Sequence, residues 1–111
     1  MIEITLEKAF LALPGTEREA IIRYGAVLRL SGLERQLALA EQKVHRLEAK
    51  YRTTLPRLET AGLPDDAGYE MHEDYVMWRH WEKTASTLRQ DLLAVQAVVQ
   101  QTVRELSHAG D

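Results

Sequence analysis

Apolar residues recur along two long stretches of the chain with alternating spacings of three and four. Such a spacing places one apolar stripe along a helix face. Charged residues fill the positions between them, as in a face turned to solvent. The stripe positions are Leu33, Leu37, Ala40, Val44, Leu47 and Tyr51 in the first stretch, and Trp78, Trp81, Ala85, Leu88, Leu92, Val95, Val99, Thr102 and Leu106 in the second.

Capping and turn signals set the bounds of the predicted helices. Thr5 is a suitable cap for a first helix, and Pro14-Gly15 ends that helix. Thr16 and Glu19 have the spacing of a capping box, which predicts the start of a second helix. The predicted elements are a short helix over 5–13, a long helix over 16–52, a loop with a short helical turn over 53–69, and a second long helix over 70–108.

Two long helices with matched stripes, joined by a loop, predict an all-α fold: a long antiparallel, coiled-coil-like helical hairpin with a short N-terminal helix, in one domain over residues 1–111. Ile21, Ile22 and Val27 are expected near Val99, Val103 and Leu106. The apolar stripe is wider than one hairpin covers. We expect the N-terminal helix to cover part of it, and a second copy or a partner protein to cover the rest. The positions that widen the stripe are Leu28, Leu30, Leu93, Val98 and Val103.

The composition is that of a soluble, folded protein. Of the 111 residues, 45% are apolar and 28% are charged, and none is cysteine, which fits a reducing compartment. The N-terminus is a poor secretory signal, and no apolar run approaches the roughly 20 residues that a membrane span needs. We expect a cytoplasmic protein.

Charge is divided unevenly along the chain. Residues 16–57 contain nine Lys or Arg and five acids, whereas residues 58–111 contain four Lys or Arg and ten acids. The two oppositely charged halves are expected to pair with each other or with a partner. Arginines in the first half alternate with glutamates and the whole chain is acidic, which argues against a nucleic-acid-binding protein.

Neither a metal site nor a catalytic site is indicated by the spacing of the polar residues. No histidine pair has the spacing of a helical zinc site. Glu41 and His45 could share a helix face, and Glu105-x-x-His108 has the spacing of a di-iron ligand pair. We predict no metal and no cofactor. The chain lacks a glycine-rich phosphate loop and a nucleophile elbow, so we also predict that it is not an enzyme.

The segment YEMHEDYVMWRHW, residues 69–81, holds both tryptophans and two of the four tyrosines among acids and histidines. Acids in a first helical turn complement the helix dipole, and the aromatic residues could form the wide end of the core. Aromatic residues beside charged ones are also typical of interface hot spots. Both interpretations stay open. The predicted partner-binding residues are Glu70, Glu73, Asp74, Tyr75, Trp78, Arg79 and Trp81.

The run LEAKYRTTLPRLETAGLPDDAGYEMHEDYVMWRHWE resembles the middle of small bacterial helical proteins encoded beside toxin genes. The matching positions are Lys50-Tyr51, Leu55, Leu58, Glu73-Asp74-Tyr75 and Trp78, with Arg52 where a glycine is expected and an unusual Pro56. The resemblance covers about a third of the chain. It implies the antitoxin side of a toxin–antitoxin pair, which binds and neutralises a small, basic partner.

We therefore expect a non-enzymatic protein–protein interaction module, an antitoxin-like neutraliser that is a homodimer or part of a hetero-oligomer. The six acids over residues 59–74, with no Lys or Arg among them, would steer a basic partner. The alternative is a homodimeric coiled-coil scaffold or adaptor without a toxin partner.

Overall fold

The computed structural model describes the backbone of residues 4–109 and the side chains of residues 4–104. No residue of that backbone range is in a strand. The two long helices pack against each other, which confirms the predicted all-α helical hairpin with a short N-terminal helix. The helices are α1 (Leu6–Leu11), α2 (Gly15–Tyr51), α3 (Leu55–Ala61) and α4 (Tyr69–Ala109).

The junction between α1 and α2 follows from capping and from proline. The Thr5 hydroxyl accepts a hydrogen bond from the Lys8 backbone N–H at 3.2 Å, as expected of an N-cap. At the start of α2, the Pro14 carbonyl accepts bonds from the N–H groups of Glu17 and Arg18 at 3.0 and 3.1 Å. Thr16 therefore lies inside the first turn, and the predicted capping box is wrong.

Two residues with positive φ angles end the helices near the hairpin loop. Arg52, at φ 53°, ends α2 in a left-handed conformation that a side chain seldom adopts. Thr54 then caps α3 by accepting a hydrogen bond from the Arg57 N–H at 3.4 Å. Gly62, at φ 81°, ends α3, and its N–H donates to the Leu58 carbonyl at 2.8 Å. Glycine suits that position because it has no Cβ to clash.

The chain divides into two compact units, each containing parts of α2 and α4. We call Leu33–Asp91 the core unit, because every fully buried hydrophobic side chain among the described residues belongs to it. Trp78 and Leu33 are completely buried there. The ring of Tyr51 stacks on Trp78 with centroids 6.0 Å apart. The buried hydrophobic residues are Leu33, Ala40, Val44, Leu55, Leu58, Trp78, Ala85 and Leu88.

The other unit, Met1–Gly32 with Leu92–Asp111, is here called the terminal unit. Among its described side chains no hydrophobic one is buried, and Thr102 is the buried polar residue. Helix α1 contains no buried residue and Phe10 is half-buried, so its cover of the apolar stripe stays a prediction. The exposed large hydrophobic residues of this unit are Ile4, Leu6, Leu11, Ile21, Ile22, Tyr24, Val27, Leu28, Leu93, Val98 and Val103.

The stripe positions agree with the predicted pattern in both long helices. Every described residue of the two predicted stripes is buried or half-buried. Ile21, Ile22 and Val27, which we expected near α4, are instead 51%, 40% and 50% exposed. The side chain of Leu106, the last predicted stripe position, lies outside the described residues.

Candidate functional site

A polar network joins the end of α2 to the first turns of α4 within the core unit. The Lys50 ammonium donates to Asp74 Oδ2 at 2.6 Å and to Glu70 Oε1 at 2.5 Å. The Tyr51 hydroxyl donates to the same Asp74 oxygen at 2.5 Å. Because Asp74 accepts from both neighbours, it fixes the start of α4 against the last turn of α2.

The charges of this network reinforce one another. The hydrogen bonds from Lys50 and then Tyr51 lower the pKa of Asp74, because they stabilise its carboxylate. The bonds to Asp74 and Glu70 raise the pKa of Lys50 above its usual value. Burial, and then the bond to Asp74, raise the pKa of Tyr51. Each shift moves titration away from neutral pH, which suits a structural clamp better than a proton-transfer site.

A second, looser contact lies between α3 and α4. The Tyr75 hydroxyl donates to Glu59 Oε1 at 3.3 Å, and the Arg79 guanidinium lies 5.8 Å from the centre of the Tyr75 ring. Arg79 Nε is 3.8 Å from Glu59 Oε1, with both side chains well exposed. Exposed ion pairs of this length contribute little stability, so the group remains accessible to a partner.

Both tryptophans belong to the core rather than to an open surface. Trp78 is 0% exposed and packs in a cluster with Val44, Leu55 and Leu58. Trp81 is half-buried and packs against that cluster from its edge. The structure thus places Trp78 where a docked partner does not reach it, because α2 and α3 cover the ring. Its indole Nε1–H is buried and has no hydrogen-bond acceptor among the described residues.

Outside the network, one surface of α4 combines acidic and apolar side chains. We call it the acidic surface and define it by Tyr69, Glu70, Glu73, Val76 and Met77, all of which are exposed. Tyr69 and Val76 are 78% and 63% exposed. A shallow depression here is lined by His72, Glu73, Asp74, Val76 and Met77. This arrangement offers negative charge for steering and apolar area for contact.

The seven predicted partner-binding residues are thus divided by the structure. Glu70, Glu73 and Arg79 are exposed; Asp74, Tyr75 and Trp81 are half-buried; Trp78 is buried. Tyr69, Val76 and Met77, the apolar members of the acidic surface, were not among the predicted residues. Tyr69, Glu73 and Val76 follow one another at spacings of four and three, and this signal would have placed them on one helix face.

No group of three or more potential metal ligands gathers among the side chains that the structure describes. Glu41 and His45, the pair considered from the sequence, line one depression on α2. Glu41 lies 3.4 Å from Arg89, so its carboxylate already has a cationic neighbour. The side chains of Glu105 and His108 lie outside the described residues.

Comparison with protein-family models, with curated proteins and with solved structures finds no match to this chain. Within its described part, the chain has no helix that is long and apolar enough to cross a membrane.

Proposed function

We propose that the protein is a non-enzymatic interaction module that binds a basic partner protein through its acidic surface, as an antitoxin-like neutraliser would. The observation that carries this proposal is the exposure of Glu70 and Glu73 beside Tyr69, Val76 and Met77 on one part of α4. Large apolar side chains rimmed by charge are typical of protein interaction sites.

The charge of the adjoining segment supports a basic partner. Residues 59–74 contain six acids and no Lys or Arg. The loop acids Asp65 and Asp66 are exposed next to α4. A field of one sign accelerates association with an oppositely charged protein and disfavours acidic competitors.

The polar network and the tryptophan core support the same proposal by holding the surface in place. Asp74 is bound by Lys50 and Tyr51, one turn from Glu70. Trp78 anchors the next turn of α4 in the core. A surface that is ordered before binding loses less conformational entropy when the partner docks.

The experiment is a binding titration with the small basic proteins encoded by the neighbouring genes, since an antitoxin-like protein is expected beside its toxin. We expect one of them to bind, with an affinity that falls as salt rises. Glu73→Lys should weaken binding at least tenfold, because it reverses a charge at the centre of the surface. Met77→Ser should weaken it through lost apolar contact.

The matched control is Glu34→Lys, which makes the same charge change at an exposed position of α2 in the core unit. Binding that is equally weakened by both variants would mean that only net charge matters. Absence of binding by every neighbouring basic protein would contradict the neutraliser proposal.

The alternative, a homodimeric scaffold without a toxin partner, is favoured by a separate observation. The terminal unit exposes eleven large hydrophobic residues and buries none among its described side chains. A second copy of the chain would cover such a surface whether or not the acidic surface binds a toxin.

A further inference from the structure

The outer face of α2 in the terminal unit contains exposed apolar residues interrupted by two glycines. Ile21 and Leu28 are 51% and 73% exposed. Gly25 lies between these two residues and Gly32 follows Leu28. The positions 21, 25, 28 and 32 are therefore separated by four, three and four residues. This is the spacing of a helix–helix seam, on a face that the chain itself leaves open.

The glycines have no explanation within the single chain. A Cβ built on Gly25 or Gly32 would meet no heavy atom within 4 Å. Both residues are helical, and among the described glycines only Gly62 has a positive φ. Each costs about 1 kcal/mol relative to alanine in a helix interior. Glycine at such a position permits the close approach of another backbone.

We propose that a second copy of the chain packs antiparallel against this face, with the two-fold axis passing between residues 26 and 27. In this register Ile21 lies opposite Gly32 of the second copy, and Leu28 lies opposite Gly25 of the second copy. The two-fold axis repeats both contacts, as an isologous interface requires. Each large side chain therefore meets a glycine. The four facing pairs of residues along the seam, which we call layers, pack without a clash between two large side chains.

Charged residues limit the length of this seam. Arg18 and Arg35 occupy the next seam positions, seven residues before Gly25 and seven after Leu28. Arg18 donates to the carbonyls of Leu11 and Leu13 at 2.7 and 3.1 Å, which holds its guanidinium at the junction of α1 and α2. The apolar pairing is thus confined to the four layers between the arginines.

The exposed apolar area of the whole terminal unit, to which Ile21 and Leu28 of this face belong, is of the order that a stable dimer needs. One fully exposed apolar side chain offers roughly 60–120 Å². Eleven such residues of the terminal unit, each at least 40% exposed, then offer on the order of 500 Å² per chain. A typical stable interface buries about 800 Å² per partner, polar atoms included. A second copy on this face would cover Ile21 and Leu28, which the single chain leaves exposed.

This inference is independent of the proposed function, because the two surfaces share no residue. The first test is the mass of the purified full chain by light scattering across a range of concentrations. We expect twice the chain mass of 12.7 kDa. Leu28→Glu, Gly25→Leu and Gly32→Leu should each reduce it to a single chain. Circular dichroism should show unchanged helix content, since both glycines face open space in the single chain.

The matched control is Val76→Glu, which places the same charge at a residue 63% exposed on the acidic surface. This variant should remain a dimer. A wild-type chain that stays monomeric throughout, or a dimer that survives all three α2 variants, would overturn the proposal. So would dissociation by Val76→Glu to the same extent as by Leu28→Glu.

The direction of packing has its own test, because the chain has no cysteine. Ile21→Cys and Gly32→Cys are oxidised separately and then as a mixture. Antiparallel packing separates residue 21 from its own copy by about 16 Å along the axis, whereas a disulfide needs Cα atoms about 6 Å apart. Disulfide dimers should therefore form only in the mixture. Efficient formation in either single variant would overturn the antiparallel register.

Discussion

The core unit and the terminal unit are built from the same two helices but bury their apolar residues very differently. The core unit buries eight hydrophobic side chains, and Trp78 and Leu33 are completely enclosed. The terminal unit buries none of its described hydrophobic residues and exposes eleven large ones. The apolar stripe of α4 continues from the core unit into the terminal unit at Leu92, Val95 and Val99, so a stripe alone does not make a core.

The difference comes from a third layer. In the core unit, α3 adds Leu55 and Leu58 to the cluster around Trp78, and the loop contributes Leu63. In the terminal unit the corresponding short helix is α1, which buries no residue. Each of two packed helices buries one face against the other and leaves its remaining apolar positions exposed to solvent. The short helix α3 buries Leu55 and Leu58 and so completes a core, whereas α1 leaves Leu6 and Leu11 exposed.

The largest expected effect that separates the units is at Trp78. Trp78→Ala should lower the free energy of unfolding by about 3–5 kcal/mol, because it opens a cavity in the core. Leu6→Ala, at a residue 87% exposed in α1, should change it by less than about 0.5 kcal/mol. Urea unfolding followed by circular dichroism measures both.

Trp78→Phe serves as the control for ring size. It keeps an aromatic ring in the cluster and removes the unpaired indole N–H. It should therefore lower the free energy of unfolding by much less than Trp78→Ala does. If Trp78→Ala and Leu6→Ala lowered the free energy of unfolding by the same amount, the contrast between the two units would be contradicted.

A smaller effect is expected at Asp74. Asp74→Asn should cost about 1–2 kcal/mol at neutral pH, because it weakens the hydrogen bonds from Lys50 and Tyr51. The pKa of Asp74 is lowered in the folded protein, so its contribution is present above the ordinary value of 3.8 and is lost as pH falls below it. The difference between variant and wild type should therefore shrink in acid.

The same network predicts the alkaline behaviour. The pKa values of Lys50 and Tyr51 are raised from 10.5 and 10.0, so their contributions are present below pH 10 and are lost as pH rises further. Chemical unfolding at several pH values measures the loss of stability in acid and the loss of stability in alkali. Glu73→Gln, an exposed acid outside the network, is the control. A pH-independent difference for Asp74→Asn would contradict the assigned role.

A still smaller effect than at Asp74 is expected at the ion pair between Glu41 and Arg89. Its atoms are 3.4 Å apart, and the side chains are 41% and 52% exposed. Arg89→Ala should cost less than about 1 kcal/mol, and salt should reduce the loss further. A double-mutant cycle with Glu41→Ala isolates the coupling energy. A coupling as large as the loss at Trp78 would mean that charge, rather than burial, stabilises the core unit.

The helical hairpin was predictable because a repeating stripe determines which helix face is buried. Leu33, Ala40 and Val44 were identified from spacing alone, and all are buried. The cap at Thr5 was predictable for the same reason, since it depends on residues close in sequence. The capping box at Thr16 failed because Pro14 supplies the carbonyl that begins α2 one residue earlier.

The candidate surface was harder to predict, because it depends on which residues the core leaves uncovered. Spacing placed Trp78 on the stripe, but only the docking of α3 shows that its ring is fully enclosed. The partners of Asp74 lie more than twenty residues away in α2. Local patterns do not report such contacts. Gly25 and Gly32 stand in the sequence, but the open space around the Cβ position of each is visible only in the structure.

We propose that the core unit is stabilised within one chain and that the terminal unit is stabilised by a second copy. Hydrogen exchange of the full chain at low and high protein concentration tests it directly. We expect amides of residues 15–32 and 92–104 to gain protection as concentration rises, while those of residues 44–58 and 71–88 stay equally protected. Protection that is uniform over both units, or that does not change with concentration in the terminal unit, would contradict the account.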